Sequence, residues 1–368
     1  MKAELYIGLM SGTSADGIDA AVVEINDAGL QLKDHFFLAF DSAIKSSIES
    51  LFCANADEIN RLAKLDIILA KLYAECVSKL LEKTRLRPTD IRAIGSHGQT
   101  IRHQPPPSEH PFSLQIGDPN TLAELSGIDV VCDFRRRDIA AGGQGAPLAP
   151  CFHNFVFSDA NEVRAVINIG GIANISILKP NSPLLGFDSG PGNGLMDAWI
   201  NKHHCRHYDN NGEWARSGKV NHEFVNTLLA DPYFSKGFPK STGKEYFNLN
   251  WLEDYLDKNA QDLENEDIQA SLCALTAQSI ANEVLKFKLN RVYICGGGVH
   301  NSFFVELLAA SLPGVVIEST SSLGIDPDWV EAACFAWLAY QRLNTINMQQ
   351  ASVTGAHGSR ILGGLYCA

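Results

Sequence analysis

Three glycine clusters have the composition of phosphate-binding loops. The first, Ser11-Gly12-Thr13-Ser14-Ala15-Asp16-Gly17, lies between apolar runs at 6–10 and 18–25. Successive backbone N–H groups in such a turn can hold an anion. A P-loop or dinucleotide fingerprint runs from its glycines into a helix whose N-terminus faces the phosphate. Here a strand-like run follows, so those motifs are excluded and a plain hairpin is the competing account. The second cluster, Gly170 and Gly171 in "AVINIGGIANISIL", is again strand, turn, strand. The third, Gly296-Gly297-Gly298, follows an apolar strand and opens a helical pattern carried by Phe304, Leu307, Leu308 and Leu312. Two hairpins, one per half, plus a strand–glycine–helix element fit a nucleotide cleft. The hairpins would hold phosphates from opposite sides, and the third cluster would let adenine or ribose approach a backbone without side chains. "GFPKSTGKEYF" imitates a Walker A motif, but its spacing is wrong and Glu245 stands where Ser or Thr is required. It is expected to be a loop with Lys240 and Lys244 exposed.

The elements that must position these loops alternate between strand and helix. Amphipathic periodicity predicts a helix over 58–84, closed before Pro88 and followed by a strand at 91–94. Pro105, Pro106 and Pro107 make "RHQPPPSEHP" a loop. "DPNTLAELSG" is punctuated as a helix, with Asp118 at the N-cap, Pro119 in the first turn and Gly127 at the exit. A further helix is expected to start at Asp326 and Pro327 and to be largely buried. The second half repeats the pattern of the first, though not its sequence.

Length and composition narrow the class. The 368 residues suggest two domains, and 45% apolar residues suffice for real cores. A formal net charge of −12 argues against a nucleic-acid surface, whose footprint is basic. No apolar stretch is long enough for a membrane span, and the start enters a strand at once, so neither membrane nor signal peptide is expected. Nine scattered cysteines without a C-x-x-C pair read as buried reduced thiols of a cytoplasmic protein.

Seven motifs, in order, resemble the anhydro-N-acetylmuramic acid kinases: "GLMSGTSADGIDAAVVEI", "IGSHGQTIRHQP", "QIGDPNTLAE", "DFRRRDIAAGGQGAPLAP", "VINIGGIANIS", "GFDSGPGNGLMDAWI" and "YICGGGVHN". The resemblance runs from residue 6 to about residue 340. It implies an α/β fold of the sugar kinase, Hsp70 and actin kind: two lobes, each a mixed five-stranded sheet flanked by helices, with the active site in the interlobe cleft. The expected division is an N-terminal lobe at 1–135, rejoined by a final strand near 355–368, and a C-terminal lobe at 136–354. The implied reaction opens the 1,6-anhydro bridge of anhydro-N-acetylmuramic acid with water while ATP phosphorylates O6. Its products are N-acetylmuramic acid 6-phosphate and ADP, in cell-wall recycling. ATP and Mg²⁺ are the implied cofactors, and a homodimer the implied assembly.

Residue roles follow from the resemblance. Asp188, expected at a strand end facing the cleft, would be the general base on the attacking water, a helix N-cap being its competing account. Ser189 stands where the family usually has Thr. Gly12, Thr13, Ser14, Ala15, Asp16, Gly17, Ile18 and Asp19 would line the first phosphate loop, with Asp16 holding Mg²⁺ directly or through water. Gly170, Gly171 and Asn174 would form the second loop, and Gly296, Gly297 and Gly298 would lie under adenosine. His97, Asp118, Arg136 and Glu331 are the candidate sugar contacts. Arg136 is preferred to Arg135 and Arg137 as the fork for the substrate's lactyl carboxylate. Structural accounts compete for each: a satisfied histidine, an N-cap, a solvated charge run, a salt bridge. The match thins in "VTGAHGSRILGGLYCA". The rival enzyme is another sugar or carboxylate kinase of the same superfamily. A nucleotide-driven binding module is the rival from another class, and sugar-dependent turnover separates it from both enzymes.

Overall fold

The computed structural model describes residues 3–26, 29–238, 240–259 and 262–368; Lys2 and Pro239, in stretches discussed above, lie outside them. The strands are β1 Glu4–Ser11, β2 Gly17–Asn26, β3 Gly29–Ala39, β4 Ile91–Gln104, β5 Phe112–Ile116 and β6 Val130–Cys132. They continue as β7 Arg164–Ile169, β8 Ile172–Leu178, β9 Leu185–Pro191, β10 Arg291–Cys295, β11 Val316–Ser319 and β12 Gly364–Tyr366. Seven helices concern the site: α1 Glu58–Thr84, α2 Pro119–Ser126, α3 Phe134–Ala140, α4 Gly194–His204, α5 Asn265–Val284, α6 Ser302–Ser311 and α7 Val330–Leu343.

The chain divides into two compact units, Met1–Val156 with Trp329–Ala368, and Phe157–Asp328. Each has its own sheet, and the sheets share one plan. In the first unit β1, β2 and β3 run antiparallel, and β4 and then β6 add parallel on the other side of β1. In the second, β7, β8 and β9 run antiparallel, and β10 and then β11 add parallel beyond β7. The repeat of pattern is therefore a repeat of topology. The second sheet has the expected five strands; the first has seven, because β5 pairs with the far end of β4 and β12 with β6.

The unit boundaries differ from the expected 135/136 and 354/355, for packing reasons. Residues 136–156 stay with the first unit through Asp138, whose carboxylate accepts from Thr354 Oγ1 at 2.9 Å and from Gly145 N–H at 2.7 Å. Helix α7 stays with it because its backbone lies directly on β1 and β4. Gly8 and Gly95 face each other in parallel register. A Cβ on Gly8 would collide with the Ala332 carbonyl, and one on Gly95 with that of Phe335. Glycine is required here by close approach of two backbones.

On the opposite face, Ile7, Leu9, Ile18, Ala20 and Val22 pack with Leu65, Leu69, Tyr73 and Cys76 of α1. The second core joins Ile167, Ile169, Ile175 and Phe187 to Leu272, Leu275 and Ile280 of α5. Helix α1 spans the predicted residues, and α2 carries the predicted caps, Asp118 and Gly127. Two local expectations change. The strand begun at Ile91 continues to Gln104, so His97 sits inside β4; α7 starts at Val330, after a turn at Asp326 and Pro327. Among the described residues no helix is long and apolar enough to cross a membrane. None of the nine cysteines is in a disulfide; Cys53, Cys205 and Cys367 are exposed rather than buried.

Candidate active site

In the first unit, the turn between β1 and β2 presents backbone and hydroxyls. Ala15 N–H donates to Gly12 O at 3.1 Å, and Ala15 takes a positive φ of 51° with its methyl buried. The base of the turn is fixed from β4: Ser11 Oγ donates to Gln99 Oε1 at 2.5 Å, and Gln99 Nε2 donates to Gly12 O at 3.2 Å. Thr13 and Ser14 are exposed. Asp16 is also exposed and accepts from Lys45 Nζ at 2.6 Å. Gly17 and Asp19 already belong to β2, and the Ile18 side chain is in the core, so the last part of this loop offers backbone rather than side chains.

Four residues of the same unit were expected at the sugar, and two line one cavity. His97 and Arg136 border a cavity of about 220 Å³ with Asp66, Gln115, Gly117 and Asp133. Arg136 is exposed and donates to Asp133 Oδ1 at 2.8 Å. Arg135 is the arginine that turns inward: its Nε and Nη2 lie 3.1 and 2.9 Å from His97 Nε2, and its Nη1 donates to Gly145 O at 2.8 Å. Burial, and then the Arg135 charge, push the His97 pKa well below its usual value, so the ring is neutral and accepts through Nε2. Asp118 is engaged as a cap: Oδ2 accepts from Thr121 N–H at 2.8 Å and Thr121 Oγ1 at 2.6 Å, and Oδ1 from Asn120 at 3.1 Å. Glu331, in the first turn of α7, is exposed although 332–340 are buried.

The second unit gathers two glycine clusters and a third that pairs them. Asn193 N–H donates to Gly170 O at 2.7 Å, while Gly192 and Gly194 donate to Gly171 O at 3.0 and 3.1 Å. Any Cβ on Gly192 would strike Gly170 O. Gly298 is pressed against Ile169 and Asn193, and Gly296 against Asn168. The turn after β7, the exit of β9 and the turn after β10 thus meet around Asn193, leaving a surface made mostly of backbone. Lys244 lies against Gly171.

Asp188 stands within β9, not at a strand end, and the helix after it starts at Gly194, too far for an N-cap role. Its side chain is 7% exposed. Oδ1 accepts from Asn174 Nδ2 at 2.7 Å and Oδ2 from Thr242 N–H at 2.9 Å. Burial raises its pKa to about 6; Thr242 N–H, the Asn174 amide and Lys240 pull it down, and Glu245 pushes it up. Each oxygen keeps a lone pair for another donor. An acid so tuned is mostly ionised at neutral pH yet basic enough to take a proton.

Lys244 is exposed as expected, but Lys240 is not. It is 6% exposed, and its Nζ donates to Glu283 Oε1 at 2.8 Å. Its partner Glu283 is an acid near the end of a helix that is buried on most sides. Asn193 and Gln99 were missed, although both lie in quoted motifs. Among the described residues, no group of three or more His, Cys, Asp or Glu could hold a metal.

Duplicated mixed sheets, backbone-rich turns at matching strand junctions and one buried, tuned carboxylate define a two-unit α/β protein of the sugar kinase, Hsp70 and actin class. The chain belongs to the anhydro-N-acetylmuramic acid kinase family, whose profile matches residues 4–368. It is 48% identical to the anhydro-N-acetylmuramic acid kinase of Shewanella baltica (strain OS155 / ATCC BAA-1091), with 100% of both chains covered. It is also 48% identical to that of Pasteurella multocida (strain Pm70), covering 98% of this chain and 96% of the relative. A solved structure of the activator of the 2-hydroxyisocaproyl-CoA dehydratase from Clostridium difficile, with bound ADPNP, aligns at 15% identity and a TM-score of 0.47. That alignment covers 93% of this chain and 96% of the other.

Proposed function

We propose that the protein is an ATP-dependent kinase that opens the anhydro bridge of 1,6-anhydro-N-acetylmuramic acid with water and phosphorylates O6. Asp188 carries the proposal, as a buried carboxylate titrating near neutrality beside a surface of glycine backbone. It takes a proton from water as the water's oxygen bonds to C1. The C1–O6 bond breaks, and O6 takes up the γ-phosphoryl group as ADP leaves. The products are N-acetylmuramic acid 6-phosphate and ADP. Phosphoryl transfer depends mainly on positioning and charge neutralisation, which backbone-lined turns supply.

Residues 12–19 and Gly170, Gly171 and Asn174 are the proposed phosphate contacts, and 296–298 the proposed adenosine contacts. Mg²⁺ would neutralise phosphate charge when bound. Asp16 suits it, because this ion keeps several waters and takes one or two carboxylates alongside phosphate. His97 and Arg136, together at one cavity, are the better supported of the four sugar contacts. Inward-facing Arg135 orients His97, and Asp118 serves α2. A homodimer in the cytoplasm completes the proposal and rests on family membership.

A coupled ADP-release assay with Mg²⁺-ATP tests it, comparing the anhydro sugar with plain N-acetylmuramic acid in ¹⁸O-water. Turnover on the anhydro sugar, label at C1 and loss of both in Asp188→Asn are expected. Turnover on the plain sugar alone would leave an ordinary sugar kinase and refute ring opening.

A further inference from the structure

The hold on Asp188 comes from a loop without regular secondary structure. Residues 240–245 supply the Lys240 carbonyl, which accepts from Asp188 N–H at 3.1 Å, and the Thr242 N–H that reaches Oδ2. A loop cannot keep such geometry unless something fixes it. The Lys240 side chain turns into the interior and pairs with Glu283 in the last turn of α5, the two side chains being 2% and 4% exposed. Glu283 Oε2 also accepts from the half-exposed Lys286 at 2.6 Å. The Lys240 ammonium lies 5.2 Å from the centroid of the Tyr233 ring, and Tyr233 OH donates to Asp188 O at 2.9 Å. One buried cation therefore touches both supports of the carboxylate, the loop and the tyrosine.

Burying such a pair costs both ions their hydration, and apolar replacements of similar volume are often as stable. Stability alone is a poor reason for it. We propose that Lys240 is a positioning residue for Asp188: anchored on Glu283, it fixes residues 240–242 so that the carboxylate is held in one orientation and stays ionisable. The proposal rests on Asp188 being the base. The charged and titratable groups facing Asp188 are Lys240, which favours its ionised form, Glu245, which opposes it, and Tyr233, neutral at ordinary pH. Glu283 of α5 acts behind Lys240, already paired twice.

The test compares wild type, Lys240→Met and Lys240→Met/Glu283→Leu. The double variant is included because Lys240→Met alone leaves the Glu283 charge buried. Two titrations are followed in each protein: the acid limb of kcat/KM, and the Asp188 carboxyl band by infrared difference spectroscopy, identified by its absence in Asp188→Asn. In both Lys240 variants the band and the limb should move together to higher pH by about 1 unit or more, through loss of an opposite charge and a fixed donor. With Asp188 misplaced, kcat should fall by about ten- to a hundredfold while KM for ATP stays near wild type. A folded double variant with band and limb unmoved would overturn the proposal, and a loss of stability beside them would leave the pair a structural brace. A band that moves while the limb stays would instead overturn the assignment of Asp188 as base.

Discussion

Replacing Asn174 with alanine should move the pH profile of the enzyme to higher pH. Asn174 Nδ2 donates to Asp188 Oδ1 at 2.7 Å, and Thr242 N–H serves the other oxygen. Burial has already raised the carboxyl to about 6, and these donors favour its ionised form. A hydrogen bond to a charged group contributes about 1.5–3 kcal/mol. At about 1.4 kcal/mol per pKa unit, its loss should raise Asp188 by about 1–2 units. The acid limb of kcat/KM, which reports the free enzyme, should therefore shift from near 6 to about 7–8. The assay is coupled ADP release across pH 5 to 9 at saturating Mg²⁺-ATP, with the anhydro sugar varied. A limb that stays put, or moves to lower pH, would refute the claim that Asn174 supports the ionised carboxylate. A uniform fall in rate without a shift would assign Asn174 to another duty.

Three further outcomes follow from the same geometry. Asp188 titrates higher in the folded protein than its ordinary 3.8, so its contribution to stability is fully present below 3.8 and is lost as pH rises through about 6. Between pH 4 and 7, wild type should lose about 2 kcal/mol relative to Asp188→Asn in denaturant titrations; parallel curves would refute the buried-charge account. Gly8→Ala should destabilise the first unit by about 3 kcal/mol or more, because its methyl meets the Ala332 carbonyl rather than a movable side chain. An unchanged melting temperature would mean that α7 does not lie on β1 as described. Asp118→Ala should cost about 1 kcal/mol through the lost α2 cap and leave KM for the sugar unchanged. A large rise in that KM would restore Asp118 as a sugar contact.

Features set by neighbours in sequence were legible; features set by distant neighbours were not. Helix α1 declares itself by periodicity, and α2 by Asp118, Pro119 and Gly127, because caps and turns are chemistry over a few residues. The glycine hairpins were readable for the same reason. His97 looked like a residue beyond a strand because "GSHGQ" has weak strand propensity, and the pairing of Gly95 with Gly8 and of Gln99 with Ile116 carries β4 through it. Which of three consecutive arginines turns inward depends on the rotation of α3 relative to β4, and no local pattern encodes that. Lys240 is the clearest case. Its partner lies 43 residues away on a helix that sequence alone does not bring near it. The boundaries of the two compact units were hidden for the same reason, since α7 returns to the first sheet through two glycines whose purpose appears only when the helix lies on them.

That contact between α7 and the sheet has a consequence for how tolerant the protein is of change. Where side chains interlock, a lost methyl in one partner can be answered by a gained methyl in the other, and sequences drift while the fold persists. At Gly8 and Gly95 nothing on the sheet side can be exchanged, so the surface is closed to compensation and every deviation falls on the main chain. The helix is accordingly registered by its peptide groups, like a key cut to a fixed blank. Glu331, exposed at its first turn, is carried into place by that registration.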